Sequence, residues 1–426
     1  MPAPPTLWFD VTTSWHERGR PNGTLRVERN YARQARERFG QRLRFCRYSP
    51  ATGRFLAVPA DAVERLDATN TDGRQRPSGR GALREAGRRL ERGFRRAWRS
   101  VMPALLRLAD GGAAPFAEGD VLILVGETWG RHDLALLARL KRRHGLRLAA
   151  LCQDLAPIRF PKFYEGAAFI ERFTAYLDFL IAEADLLLAI SDCTRRDLLW
   201  YAASRGGLRG RLEVVILGAD LPMAAPAARP KRLAGLSPGR FALSVSSIQP
   251  RKNFALLHRL WHRLAAEAVA GLPLLVIVGA RGQGSDALIR AIEDDPLTRP
   301  RIRILDDAGD EELAWLYEHC CWTLYPSFYE GWGLPLSESL MYGKLCLASD
   351  AASLPEAGQG LARHLDPADL DAWHREIVAL LAAPERLPAI EERIRRERRL
   401  IDWRQSGAAF AAAIESLAVP GPTPAA

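Results

Sequence analysis

The stretch that decides the fold reads Trp322-Thr-Leu-Tyr-Pro-Ser-Phe-Tyr-Glu330-Gly-Trp-Gly-Leu-Pro-Leu-Ser-Glu338. Trp322–Tyr325 has the length and apolar character of a short strand. Glu330, Gly331 and Gly333 then form a loop, and Pro335 sets a first helical position. A loop at a helix start offers free backbone N–H groups backed by the positive end of the helix dipole. Its glycines let a phosphate or polyhydroxylated ligand come close to the backbone. The glycines and Pro335 also rule against one continuous helix from Glu330 to Glu338, which leaves Glu330 in the loop and Glu338 in the first turn. Each carboxylate can accept hydrogen bonds from vicinal hydroxyls. The alternative is that Glu338 only complements the helix dipole and Glu330 is a solvated loop acid.

Working outward, strands and helices alternate along the whole chain. In the first half, apolar strand candidates fall at Leu7–Val11, Leu43–Cys46, Val121–Val125, Leu146–Leu151, Leu186–Ile190 and Val214–Leu217. Helical patterns over Arg26–Phe39, Leu134–His144, Phe163–Glu183 and Thr194–Ala203 fill much of the space between. The second half has strands at Phe241–Val245, Leu274–Val278, Ile302–Leu305, Trp322–Tyr325, Leu345–Ala348 and Ala362–Leu365. Alternation of this kind predicts parallel sheets covered by helices on both faces, an α/β fold. A proline-rich stretch with Pro222, Pro226, Pro230 and Pro238 breaks the pattern. It divides the chain into a domain at 1–220, a linker at 221–239, a second domain at 240–385, C-terminal helices at 386–418 and a tail at 419–426.

In the second domain, Arg251 and Lys252 follow the strand Phe241–Val245 and precede a helix whose apolar positions Leu257, Leu260, Trp261 and Leu264 repeat at helical spacing. Asn253 is placed to cap that helix. Ligands of open α/β sheets bind outside the carboxyl ends of the strands, so two cations here suit a diphosphate. They could also be two exposed surface charges.

These residues carry a resemblance. The string Tyr325 to Leu340, followed by Gly343, Lys344 and Ser353-Leu354-Pro355-Glu356, resembles the signature of retaining nucleotide-sugar glycosyltransferases of family 4. Upstream, Ser244-Val-Ser-Ser247-Ile-Gln-Pro-Arg-Lys-Asn253 resembles the family's phosphate-binding turn, and Asp310-Glu311-Glu312-Leu313 resembles its segment before the signature. The resemblance covers nearly all of residues 240–375. It implies the GT-B fold, two Rossmann-like doubly wound domains facing across a cleft. It implies that Arg251 and Lys252 neutralise the donor phosphates, with Ser247 in the same turn. Glu338 would hold the nucleotide ribose. Glu330 and the backbone of Gly331, Trp332, Gly333 and Leu334 would hold the transferred hexose. The similarity points to bacterial mannosyltransferases of polysaccharide assembly, hence to GDP-mannose as donor and a glycan or lipid-linked glycan as acceptor. A nucleotide-sugar epimerase or a glucan synthase on the same fold, or a non-catalytic adaptor at a membrane surface, are the alternatives.

No cofactor is implied. Breaking a sugar–phosphate bond places negative charge on the departing diphosphate, which cations or a metal must meet. An Asp-x-Asp string occurs at Asp369-Leu370-Asp371, but it sits at a helix start after Pro367 and reads as a dipole complement, so a metal-free reaction is expected. The acceptor half is less explicit. Asp10-Val-Thr-Thr-Ser-Trp15, ending with Pro21-Asn22-Gly23-Thr24-Leu25-Arg26-Val27-Glu28, resembles the N-terminal loop of bacterial polysaccharide-assembly members, which implies that Gly23 lets the loop close over the donor phosphates. Asp154, in Gln153-Asp154-Leu155-Ala156-Pro157, either orients a hydroxyl and takes its proton or caps the turn after a strand. Ser191-Asp192-Cys193-Thr194 reads as a helix cap.

Composition sets the remaining bounds. With 426 residues and 48% hydrophobic content, the chain can bury two or more cores. Its six cysteines show no metal spacing and the N-terminus shows no signal-peptide pattern, so reduced thiols in a cytoplasmic protein are expected. The net charge of +10 is concentrated. Between Arg74 and Arg99 stand ten arginines against two acids, a local excess of +8. Leu90, Phe94, Trp98, Met102 and Leu105 recur within a basic insert at 74–108 like one face of an amphipathic helix. Its segment 83–108 either lies on an anionic membrane surface or packs on its own domain. Aromatics do not interleave with the basic residues as a nucleic-acid platform would require.

Overall fold

The computed structural model describes residues 4–17, 23–63, 114–221, 226 and 228–418. The arginine-rich insert at 74–108 and the tail at 419–426 therefore lie outside the described residues. Two sheets organise the rest. The first has β1 (Leu7–Asp10), β2 (Leu43–Ser49), β3 (Arg54–Val58), β4 (Val121–Leu124), β5 (Arg147–Cys152), β6 (Leu186–Ala189) and β7 (Arg211–Val214), in the order β3-β2-β1-β4-β5-β6-β7. The second has β8 (Phe241–Val245), β9 (Leu274–Val278), β10 (Ile302–Leu305), β11 (Thr323–Tyr325), β12 (Cys346–Ser349) and β13 (Arg363–Leu365), in the order β10-β9-β8-β11-β12-β13. All pairings are parallel except β2 with β3. The apolar runs Val-Leu-Ile-Leu in β4 and Leu-Leu-Leu-Ala in β6 are buried along their whole length, as strands covered on both faces must be. These are two doubly wound domains of the GT-B kind.

Two strands depart from expectation. β3 pairs antiparallel with β2 through a turn in which the Gly53 N–H donates to Ser49 O at 2.8 Å. Arg54-Phe-Leu-Ala-Val is an edge strand with one neighbour, so its hydrophobic signal is weak. β7 ends at Val214 rather than starting there. The apolar Val215 and Leu217 beyond it are buried against the body of the domain, while the paired edge itself, Arg211-Leu-Glu-Val, is half-buried to exposed. The apolar run therefore marks where the chain leaves the sheet.

The last helix, Trp403–Ala418, crosses back to the first domain. Phe410 stacks on Tyr31 with centroids 4.3 Å apart, and both are fully buried beside Phe9. The Tyr31 hydroxyl shares a 2.9 Å hydrogen bond with Ser406 Oγ. A side chain at Gly407 would run into Gln34 at 2.5 Å, so the glycine lets this helix lie close on the helix Gly23–Phe39. Among the described residues no helix is long and apolar enough to cross a membrane.

Candidate functional site

In the second sheet the strand order reverses between β8 and β11. The carboxyl edge at such a reversal is the usual ligand position in open sheets of this kind. The loop after β8 delivers Ser247, Arg251 and Lys252, and the loop after β11 delivers Glu330. Phe328 N–H donates to Arg251 O at 3.0 Å and ties the two loops together.

Glu330 is not a solvated loop acid. Its side chain is 8% exposed, with Lys252 Nζ at 2.6 Å from one oxygen and Arg251 Nη1 at 3.2 Å from the other. Burial alone would raise its pKa, but Lys252 and Arg251 outweigh it and bring the carboxyl down to about 2. Burial opposes charge on Arg251, yet Glu330 holds the guanidinium firmly cationic. On Lys252, burial and then the neighbouring Arg251 prevail over Glu330 and bring the amine down to about 8. Two cations share one carboxylate, so the cluster carries an excess of one positive charge, and the Lys252 ammonium, the stronger acid of the two, bears the cost. Arg251 Nε is buried without a hydrogen-bond partner among the described residues.

Asn253 does not cap the following helix as expected. It adopts the left-handed conformation, φ +57°, and its side-chain amide donates to Pro326 O at 3.1 Å and Pro367 O at 2.9 Å. It clamps the two loops instead. The helix behind it, Phe254–Ala266, buries Leu257, Leu260, Trp261 and Leu264 as the spacing requires.

Glu338 lies on the helix Leu334–Met341, one turn further along than a dipole-complementing acid would need. It is 1% exposed. One carboxylate oxygen accepts from the Tyr317 hydroxyl at 2.7 Å, and the other from Arg26 Nη1. Arg26 belongs to the first turn of the helix Gly23–Phe39 in the other domain, so this ion pair spans the cleft. Burial first, and then the charges of Glu330 and, more weakly, Glu338, push the Tyr325 hydroxyl well above its ordinary pKa, so both acids act on one buried ring. Gly333 precedes this helix at φ +111°, and a side chain there would meet Leu354 at 2.5 Å. Trp332 is buried in the core, its carbonyl fixed by Ser353 Oγ at 2.8 Å, and Leu334 is half-buried beside it.

Other contacts bring the carboxyl edges of the two sheets together. The expected open approach to Gly331 is occupied by protein: an added Cβ there would stand 1.9 Å from Gln153 O, in the loop after β5. Tyr329 OH donates to Asp197 at 2.6 Å. The Glu356 carboxylate sits on the N-terminus of the helix Asp192–Ala203, accepting from Asp192 N–H at 2.9 Å and Cys193 N–H at 3.3 Å. Ser191 caps that helix, its Oγ accepting from Thr194 N–H at 2.9 Å. Asp154 accepts from Ala156 N–H at 2.9 Å, the turn-capping geometry, and is half-buried beside Gly331. Gly23 opens its helix in an exposed position, and a side chain added there would meet none of the other described residues within 4 Å. Asp369 caps the helix Leu370–Ala382, and Asp371 pairs with Arg263 on the surface.

A second polar group occupies the first sheet's reversal, between β1 and β4. Asp10 accepts from Thr12 N–H and stands 3.0 Å from His132 Nε2. Glu28 accepts from Ser14 N–H at 2.7 Å and is wholly buried. Burial, then the charge of Asp10, pushes the Glu28 carboxyl up to about 7. Sequence reading passed over Tyr317 and His132, and it took Arg26 and Glu28 only as the end of the stretch around Gly23, with no role of their own. Glu356 stood inside the quoted signature.

Residues 231–397 match the family model for glycosyl transferases group 1. The O-antigen chain mannosyltransferase B of Escherichia coli is 36% identical over 142 residues, 33% of this chain and 36% of that protein. A serotype-specific mannosyltransferase WbdA of Escherichia coli is 28% identical over 214 residues, 49% of this chain and 26% of that protein. The chain thus spans about a third and about a quarter of the length of these relatives. A crystal structure of Anabaena HepE in complex with UDP and glucose covers 96% of this chain and 99% of its own at a TM-score of 0.63 and 14% identity, a likeness of fold. Arg251, Lys252, Glu330 and Glu338 all fall within the segment that matches the group 1 glycosyl transferases.

Proposed function

We propose that this chain is a retaining hexosyltransferase of family 4 that moves a hexose from a nucleotide sugar, GDP-mannose first, to a glycan or lipid-linked glycan acceptor. The observation that carries the reading is the buried Arg251–Glu330–Lys252 cluster, one positive charge in excess, at the β8/β11 reversal. A departing nucleoside diphosphate gains negative charge as the sugar–phosphate bond breaks, and fixed cations in a water-poor crevice stabilise that charge without having to reorganise. In this reading Ser247 and the helix start at Gly23 flank the phosphates, and Glu338 takes the ribose. Glu330 and the backbone from Gly331 through Trp332 and Gly333 to Leu334 take the hexose. Asp154 faces the incoming hydroxyl. The similarity to proteins named mannosyltransferases supports mannose. The reaction runs without a metal, and the protein works at the cytoplasmic face of a membrane through 83–108.

The test is a thermal-shift screen against GDP-, UDP- and dTDP-sugars, followed by transfer assays with and without a chelator. A stabilising shift with one base, and transfer that survives chelation, are expected. No shift with any of the three would overturn the donor-site reading, and strict dependence on Mn²⁺ or Mg²⁺ would overturn the metal-free step. A product released without an acceptor would favour the epimerase instead.

A further inference from the structure

Glu338 is bonded by a residue that the donor domain does not own. Arg26 reaches it from the opposite domain, with its side chain 19% exposed and that of Glu338 1% exposed. A carboxylate offers about four lone-pair sites, and this one uses only two, one toward Arg26 Nη1 and one toward Tyr317 OH. The second fork nitrogen of Arg26, Nη2, is buried and has no partner among the described residues. An acceptor with free capacity thus stands beside a charged donor that also has N–H groups to spare. A vicinal diol matches that pair, because each hydroxyl donates one hydrogen bond and accepts others.

We infer that Arg26 is a ribose-positioning residue supplied across the cleft: Glu338 accepts from the ribose hydroxyls while Arg26 Nη2 donates to one of their oxygens. This rests on the donor-site reading above and adds a consequence to it. The nucleotide then bridges the two domains, so a bound ribose draws the closed arrangement together instead of merely occupying one half. Arginine suits the task because its planar fork engages the carboxylate and the hydroxyl at once, which a lysine cannot do. The competing outcome is that Arg26 blocks Glu338 and must leave before a nucleotide enters.

The experiment is calorimetric titration of the full chain with GDP or UDP, whichever binds, and with its 2′-deoxy and 3′-deoxy counterparts. Proteins are the wild type, Arg26→Lys, Arg26→Met and Glu338→Gln. Arg26→Lys keeps a cation opposite Glu338 and guards against a folding defect in Arg26→Met, and the deoxy-nucleotides probe the wild-type protein with no substitution at all. Arg26→Lys is expected to weaken the ribonucleotide about ten- to a hundredfold, the worth of a charged hydrogen bond. Wild type is expected to lose a similar factor with at least one deoxy-nucleotide, and the two losses should not multiply when combined. Unchanged or tighter binding by Arg26→Lys, or equal loss for ribo- and deoxy-nucleotides, overturns the inference. If Glu338→Gln loses affinity while Arg26→Lys does not, only the role of Arg26 falls. If neither variant changes affinity, the ribose end of the donor site itself falls.

Discussion

Lys252 is the residue whose chemistry is most exposed to measurement. Its amine, brought down to about 8 by burial and by Arg251, is cationic at neutral pH and loses its proton as pH rises through that value. The pH dependence of kcat/KM reports ionisations of the free enzyme. Transfer is therefore expected to fall above about pH 8, and Lys252→Arg should move that alkaline limb upward. An unchanged limb in the variant would assign it to another group. Glu330 gives the reciprocal prediction. Glu330→Gln leaves two buried cations uncompensated, which typically costs about 3–5 kcal/mol when one partner of a buried pair is removed. Transfer should be lost together with a drop in the unfolding midpoint, and full stability would show that water reaches the cluster.

Glu28 carries a sign opposite to that of an ordinary acid. Its folded pKa, about 7, lies above the reference 4.5. The native state therefore holds a proton that the unfolded chain releases, and stability from this group declines as pH rises from about 4.5 through about 7. Glu28→Gln, which keeps an acceptor for Ser14 N–H, should stabilise the protein at pH 8 by up to about 3 kcal/mol and have little effect at pH 5. Urea unfolding at the two pH values checks this. A pH-independent difference would contradict it.

Among the elements, the loops that follow β8 and β11 were legible because their chemistry is local. Arg251 and Lys252 are neighbours in sequence, and Glu330 sits in a glycine-marked turn between a strand and a proline-started helix. Asn253 was misread because side-chain capping is only one use of that residue type. Its left-handed backbone places its amide between two other loops, which no local pattern announces. Gly331 was recognised as a close-approach glycine, but what approaches is the loop after β5 and not open space. Gly331→Ala should push the two loops apart. It is expected to lower kcat at least about tenfold while leaving nucleotide affinity near wild type, since a displaced reacting centre costs rate more than binding. Comparison of kcat with the dissociation constant decides this, and an undiminished kcat would show that the contact is incidental.

At the scale of the whole molecule, the alternation of strands and helices announced two α/β domains, but not how the chain ties them together. The final helix packs Phe410 onto Tyr31 of the first domain, hundreds of residues away in sequence, and such contacts leave no periodic trace. Phe410→Ala should destabilise the first domain by about 3–5 kcal/mol, as deletion of a buried aromatic does. The cleft is crossed in turn by Arg26 to Glu338, by Asp192 to Glu356 and by Tyr329 to Asp197. Each pair joins two stretches of chain more than a hundred residues apart, which sequence reading could only take separately. The strands and helices of the second domain were therefore legible, whereas the contacts that join the two domains were not.

The claim on which the rest depends is that Arg251 and Lys252 receive a diphosphate. The direct measurement is the dissociation constant of the nucleoside diphosphate that binds best, beside that of the same nucleoside without phosphates, for wild type and for Arg251→Ala/Lys252→Ala. Loss of about a hundredfold or more for the diphosphate, with the nucleoside unaffected, is the predicted result. Equal diphosphate affinity in the two proteins would contradict it.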